Sequence, residues 1–591
     1  MNWLLRCILD LVGSLARWYY SRKYGAMAQQ MGRGSETDPP EQRGFIIIQI
    51  DGLAHQYLQE AMELGYVPTL QRLLTSGDAL LSRWRCGLPS STAAVQAGIM
   101  FGNNWDVPSF RWYEKDRGVS VVCKQPALVR EVQERVSSGR EGILEGGSSY
   151  VNMFDGDARL SLFTLGAWGS DRFFENVRGF GFMLLFLFSP WRAVRTVGVS
   201  LWEYARDLGG RVASRWRAGP RQRLTLVSPL LQIMVNVVFR EIETLGVMMD
   251  IYRGVPSIWA NYFGYDEVAH HVGPLHHDAL RALRGLDKQV RQIDRIRRQY
   301  RRREYDLYVI SDHGQSPSRP FREIHGVTLG QYIAAQLGDS VAMDERWGQV
   351  YHARKPTDYL LEELKGLERK GSRSKRARAL IRSLRRWVDQ RIPPDPEMEW
   401  DLERHGDVVV RSSGSLAHVY FNVTPSPMDL SEVAILYPEL VSLLLDEPAI
   451  GLIVGRDGGH AACLTVDGML HLAGWTDAGH DHRMTSLPEP RLAAAQLARL
   501  ASFPHSGDLI LLGAWDGAGE VVCFEDQWAS HGGLGGPQDY PFILSPAHLE
   551  WNPGGVTNSE QLYEHFRGLY GAAAQPAPEE GSVPAQVPES A

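Results

Sequence analysis

The chain has 591 residues, 44% hydrophobic and 22% charged, which is the composition of an ordinary folded protein and more than one compact core needs. One large α/β domain with insertions, or several domains, is therefore the expectation. A formal net charge of −7 argues against a generic binder of nucleic-acid polymers, although arginines gather at GGRVASRWRAGPRQR, RQIDRIRRQYRRR and ERKGSRSKRARALIRSLRR.

The first segment, MNWLLRCILDLVGSLARWYY, is apolar but interrupted by Arg6, Asp10 and Arg17, and no small-residue cleavage site follows it. On a helix those polar residues form one stripe, with Trp3, Leu4, Ile8, Leu11, Leu15 and Trp18 around the remainder. This predicts an uncleaved amphipathic helix, lying in a membrane interface or docked on the protein's own core. The helix and the polar linker that follows it are assigned to residues 1–42. Five widely spaced cysteines, Cys7, Cys86, Cys123, Cys463 and Cys523, contain no CxxC pair and predict reduced, mostly buried thiols.

GFIIIQIDG next reads as a buried parallel strand that delivers Asp51 at its carboxyl end, where open α/β sheets gather ligands. SIWANYFGYDE repeats the pattern and ends at Asp266, and YDLYVISDHGQ repeats it with Asp312 and His313. Between the first two lie GFGFMLLFLFSPW and LTLVSPLLQIMVNVVF, each shorter than the ~20 residues a membrane-spanning helix needs. They predict an apolar and basic insertion over about 170–245, either touching lipid or forming buried core helices. A second, basic and leucine-rich insertion is expected to be helical over about 343–400. Strand-like runs then recur (VVVRSSGSLAHVYFNV, IGLIVGR, HAACLTV, DLILLGAW) before a glycine-rich loop bearing His531. The Pro/Ala/Glu-rich residues 571–591 read as a disordered tail.

Asp51, Asp266, His270, Asp312, His313 and His531 form an inventory of oxygen and imidazole donors without a thiolate. That ratio suits two zinc or manganese ions, and such a pair activates a hydroxyl and stabilises the oxygens of a reacting phosphate. The segment CGLPSSTAAV supplies the hydroxyls.

The order IQIDG, LPSSTA, YDEVAHHVGP, ISDHGQ and SHGG resembles the alkaline phosphatase superfamily, and within it the type I phosphodiesterase/nucleotide pyrophosphatase family. The resemblance runs from about Phe45 to about Pro546 and is strong only at the motifs. It implies a doubly wound α/β sandwich spanning residues 43–570, with the insertions as departures. It also implies a two-metal site in which Asp51, Asp312, His313 and the nucleophile hold one ion, and Asp266, His270 and His531 the other. The family's PxxT pattern places the nucleophile at Thr92, and its DxxxHxxGP spacing selects Asp266 and His270 over Glu267 and His271.

The family's nucleotide-cleaving members follow the nucleophile with a phosphate-contacting asparagine; the corresponding stretch here is NNWDVPSFRWYEK, with Tyr113 near that place. Arg111 beside it has the guanidinium geometry to grip phosphate, with an ion pair as the alternative. His418 is a candidate for the pocket wall, with a structural role as the alternative. The sulfatase signature is absent. The expected activity is metal-dependent cleavage of a phosphodiester or pyrophosphate through a phospho-threonine, on a nucleotide or lipid head group and at a membrane surface whose side stays open. A phosphomonoesterase, a phosphonate hydrolase and a non-catalytic membrane scaffold are the alternatives.

Overall fold

The computed structural model describes residues 43–167, 227–300, 302–338, 341–346, 382–383, 386, 406–473, 475 and 482–571, with side chains in the helix Val227–Arg253 from residue 239 onward. The predicted amphipathic helix, Cys7, most of both insertions and the tail beyond Gly571 lie outside the described residues.

The strand Gly44–Ile50 is buried at every position and forms the centre of a seven-stranded sheet. The spatial order is Ala79–Arg83, Phe542–Pro546, Tyr305–Ile310, Gly44–Ile50, Ser257–Tyr262, Ser148–Tyr150, Leu160–Leu162. Ile48 pairs in parallel with Ala260 on one side and Val309 on the other, whereas Phe542–Pro546 runs against both its neighbours. Alternation along the central strand divides the apolar run between two cores. Ile46, Ile48 and Ile50 meet the helices His55–Glu63, Pro68–Thr75 and His277–Gln299 on one face. Phe45 and Ile47 meet Thr92–Phe101, Pro126–Val136 and Glu560–Tyr570 on the other. Each such side chain contributes about 1.5–3 kcal/mol by leaving water. Burial on both faces is why the strand reads as a continuous apolar run, and the fold is the expected doubly wound α/β arrangement.

The later strand-like runs build a second sheet, in the order Met343–Arg346, Val408–Ser413, Leu416–Phe421, Leu509–Gly513, Ile450–Asp457, His460–Thr465, Gly468–His471. Its pairs are antiparallel except the first. Met343–Arg346 is thus a strand, not the start of a helical insertion. The helix Val227–Arg253 begins within the second apolar run, and its Phe239, Ile242, Leu245 and Met249 join the first core. This end of the predicted apolar insertion is core helix, the bland alternative, and among the described residues no helix is long and apolar enough to cross a membrane. Cys86, Cys123, Cys463 and Cys523 are buried thiols outside any disulfide, as expected.

Candidate active site

The carboxyl ends of two adjacent parallel strands deliver Asp51 and Asp312–His313 side by side. Asp266 comes one step later than predicted: its strand ends at Tyr262, and the carboxylate sits in the first turn of the helix Gly264–Val272. His270 follows one turn on, with Nε2 3.3 Å from Asp266 Oδ2. The ligand atoms of Asp51, Asp312 and His313 lie within 4.8 Å of one another, and so do those of Asp266, His270 and His531. The two groups adjoin, because the rings of His313 and His531 stack at 3.7 Å. Gly52 makes the approach possible: its φ is +71°, and a Cβ there would fall on Asp266 Oδ1.

All three imidazoles turn Nε2 toward the site because Nδ1 faces a backbone carbonyl in each. His270 pairs with Ala529 O at 2.7 Å, His313 with Gly314 O at 2.9 Å and His531 with Ser90 O at 2.8 Å. Donation from Nδ1 leaves the Nε2 lone pair for a cation. Burial, with His313 and His270 nearby, pushes the His531 pKa well below its ordinary value, so its lone pair is free at neutral pH. The carboxylates are oriented too: Asn261 Nδ2 donates to Asp51 Oδ2 at 3.1 Å, Gly52 N to Asp312 Oδ1 at 3.3 Å, and Gln315 Nε2 to Asp266 Oδ1. Asp312 is fully buried, yet its Oδ2 has no hydrogen-bond partner and lies 3.3 Å from His313 Nε2. A buried carboxylate oxygen without a donor is stable only beside a cation, so the donor set fits divalent metal.

Thr92 opens the helix Thr92–Phe101, with Oγ1 3.2 Å from His313 Nε2 and 3.5 Å from Asp51 Oδ1. Neither neighbouring hydroxyl bonds to a ligand side chain among the described residues. Ser90 Oγ donates to Gly533 O at 3.0 Å and accepts from Gly532 N at 2.9 Å, and Ser91 Oγ is buried without a partner. The unsatisfied amides of the helix's first turn add donors beside Thr92.

The other three predicted residues are not brought to this site. Arg111 is buried, with Nη1 2.7 Å from Glu525 Oε1 and 3.1 Å from Ser412 O, which is the ion-pair alternative and not a phosphate grip. Tyr113 is buried on its strand, edge-on to Tyr420. His418 is fully buried between Pro108 O and Gly507 N, and burial lowers its pKa to about 4, so it is a structural, neutral imidazole. The nearness of Arg111 and Tyr113 to the nucleophile in sequence misled, because their hairpin, Arg111–Glu114 with Val119–Val122, packs against Val408–Ser413 of the second sheet, to which His418 itself belongs. Asn261 and Gln315 were missed as orienting groups. The signal for Asn261 was a lone amide in a strand buried at every position.

The model of the type I phosphodiesterase / nucleotide pyrophosphatase family matches residues 252–415. The chain matches the family its motifs predicted. The matched stretch contains Asp266, His270, Asp312 and His313, and the fold brings Asp51, Thr92 and His531 to them from outside it. Phosphoester hydrolysis is the activity class of that family. No curated protein matches the sequence. Similar solved structures include phosphonoacetate hydrolase from Sinorhizobium meliloti 1021 with phosphonoformate, at 13% identity over 90% of this chain and 97% of that one, TM-score 0.44. Murine ectonucleotide pyrophosphatase / phosphodiesterase 5 is similar at 9% identity over 90% and 96%, TM-score 0.43.

Proposed function

We propose that the chain cleaves a phosphodiester or pyrophosphate through a phospho-threonine at Thr92, with Asp51, Asp312 and His313 holding one divalent ion and Asp266, His270 and His531 a second. The observation that supports it is the convergence of Thr92 Oγ1 with the ligand atoms of Asp51 and His313 beside a second, adjoining ligand group. Two zinc ions suit three carboxylates and three imidazoles without thiolate, and manganese is the alternative. Such ions supply Lewis-acid charge for the hydroxyl, the equatorial oxygens and the leaving oxygen.

The chain's own residues perform the rest. Thr92 Oγ1 gives up its proton and attacks phosphorus in line; its bond to phosphorus forms as the bond to the leaving oxygen breaks, and the leaving oxygen departs with its electron pair and takes up a proton in turn. The first-turn amides of the helix Thr92–Phe101 are the donors available to the transferred group. Water then attacks the phospho-threonine from the vacated side, the bond to Oγ1 breaks, and Thr92 recovers its proton. Asn261, Gln315 and the three backbone carbonyls keep the donors oriented through both steps. The substrate class within this reading is a nucleotide or a lipid head group. Attachment to a membrane surface is proposed through residues 1–42 and the stretch about 170–226, which lie outside the described residues.

Turnover of a bis-aryl phosphodiester, abolished by a chelator and by Thr92→Ala, tests this reading. Undiminished turnover in Thr92→Ala would overturn the nucleophile assignment, a faster rate on the aryl monoester would favour a phosphomonoesterase, and less than one bound divalent ion per chain would favour the scaffold.

A further inference from the structure

His531 is the ligand farthest along the chain, and its loop contains Gly532 and Gly533. Unlike Asp51 or Asp312, it has no strand of the central sheet leading into it. What fixes it is a clamp. On one side, Ser90 binds the loop through its carbonyl and hydroxyl. On the other, the turn of the second-sheet hairpin does so: Ser415 N donates to His531 O at 3.1 Å, and Ser415 Oγ accepts from Gly533 N at 3.1 Å. Gly414 has φ +67°, and a Cβ on it would fall on the His531 carbonyl oxygen.

The hairpin turn is anchored in turn. Glu525 is buried; its Oε2 accepts from Gly414 N at 2.7 Å and its Oε1 from Arg111 Nη1 at 2.7 Å. Arg111 also reaches Ser412 O, and its own N–H donates to Ser413 Oγ at 3.0 Å. The two ionic side chains therefore hold Ser412, Ser413 and Gly414, which lead into the hairpin turn, and the turn holds His531.

Resting on the reading of the site given above, we infer that Arg111 and Glu525 are positioning residues for the second metal site: through Gly414 and Ser415 they set the place of His531 and thereby the affinity for the ion it would hold. The central-sheet ligands Asp51, Asp312 and His313 make none of the clamp contacts named above, although the His313 ring stacks on His531. The prediction is a selective effect on one of two ions, because a ligand whose orienting partners are removed typically costs 10–100-fold in metal affinity. General loss of the fold would weaken both ions together.

The test is zinc titration of purified, metal-stripped full-length protein, with stoichiometry and both dissociation constants measured alongside circular dichroism and a melting curve. In Arg111→Met one zinc should bind at least 10-fold more weakly, while the other stays within about 3-fold of wild type. Arg111→Lys, which keeps a cation at Glu525, should restore most of the loss. If Arg111→Met does not fold, Glu525→Gln, which keeps the size of the side chain, is read in its place with the same expectation. Two wild-type affinities in a folded Arg111→Met or Glu525→Gln protein would overturn the inference, as would equal weakening of both ions. Fewer than two zinc ions bound by wild type would instead overturn the two-metal reading on which the inference rests.

Discussion

Replacing Ser90 by alanine separates the nucleophile from its neighbours and puts a magnitude on the support of His531. Ser90 is fully buried, and its hydroxyl makes two bonds, to Gly533 O at 3.0 Å and from Gly532 N at 2.9 Å. Alanine removes both and leaves a buried amide and a buried carbonyl each with one partner fewer, at about 1–3 kcal/mol per group orphaned, so a loss of about 2–6 kcal/mol is expected. The bond from His531 Nδ1 to Ser90 O survives because it uses the backbone. The imidazole should therefore loosen without being lost, with zinc affinity and turnover reduced by about 10–100-fold, the range for disturbed orienting groups. Urea unfolding gives the stability change, and mass spectrometry of acid-quenched turnover mixtures locates the phosphoryl group. In Ser90→Ala a destabilised protein should still carry phosphate on Thr92. In Thr92→Ala, whose hydroxyl is the one 3.2 Å from His313 Nε2, the adduct should vanish and turnover fall by about 10³-fold or more. An adduct that persists in Thr92→Ala and disappears in Ser90→Ala would refute the argument that bonding to Gly532 and Gly533 disqualifies Ser90 as nucleophile.

Three further outcomes are expected. Asn261→Leu removes the donor to Asp51 Oδ2 inside a buried strand and should weaken zinc binding by about 10–100-fold, read by competition with a chelating dye; wild-type affinity would show that Asp51 needs no orienting partner. His270→Ala should lose one of two bound ions whereas His271→Ala, whose Nδ1 turns back to Glu267 O at 2.6 Å, should keep both; the reverse result in metal analysis would shift the helix register of the site. Asp539 is buried, and burial raises its carboxyl from 3.8 to about 7 despite Arg85 nearby. The folded state therefore keeps a proton that the unfolded chain releases, and stability falls as pH rises from about 4 to about 7, by at most about 4 kcal/mol from this group. Asp539→Asn should flatten that slope in urea unfolding at pH 5 and pH 8, and an unchanged slope would refute the assignment.

The legible part of this fold is the part in which sequence periodicity and residue placement have one cause. GFIIIQIDG reads as a doubly buried strand because Phe45 and Ile47 face one core while Ile46, Ile48 and Ile50 face the other. The same burial forces the polar residue out at the strand's end, where Asp51 and Asp312 then meet. Asp266 and His270 were readable as a pair because four residues make about one helical turn. The second sheet was visible only as separate strand-like runs, since pairing Val408–Ser413 with Met343–Arg346 or Leu509–Gly513 with Ile450–Asp457 joins segments far apart in sequence. Residues 343–346 illustrate the limit: four residues with partial exposure have no period long enough to oppose the basic, helix-favouring composition that follows.

Arg111 shows why nearness in sequence is a poor guide to the lining of a site. Nineteen positions after Thr92 it falls where a phosphate-contacting side chain was sought, and its residue type fits that task. Yet the strand Arg111–Glu114 pairs with Val119–Val122 and lies against Val408–Ser413, so a side chain there meets the second sheet first. A buried guanidinium in that position is stable only with a carboxylate, and Glu525, far along the chain, supplies it. Breaking such a pair by removing one partner typically costs about 3–5 kcal/mol, more than a loop at the rim of a site would impose. The cost is set by burial and not by any contact with substrate, so an alanine at Arg111 would lower activity whether or not phosphate ever touched it. Only a measurement that separates the two ions, or that compares lysine with methionine at this position, tells support of His531 apart from a direct grip on the substrate.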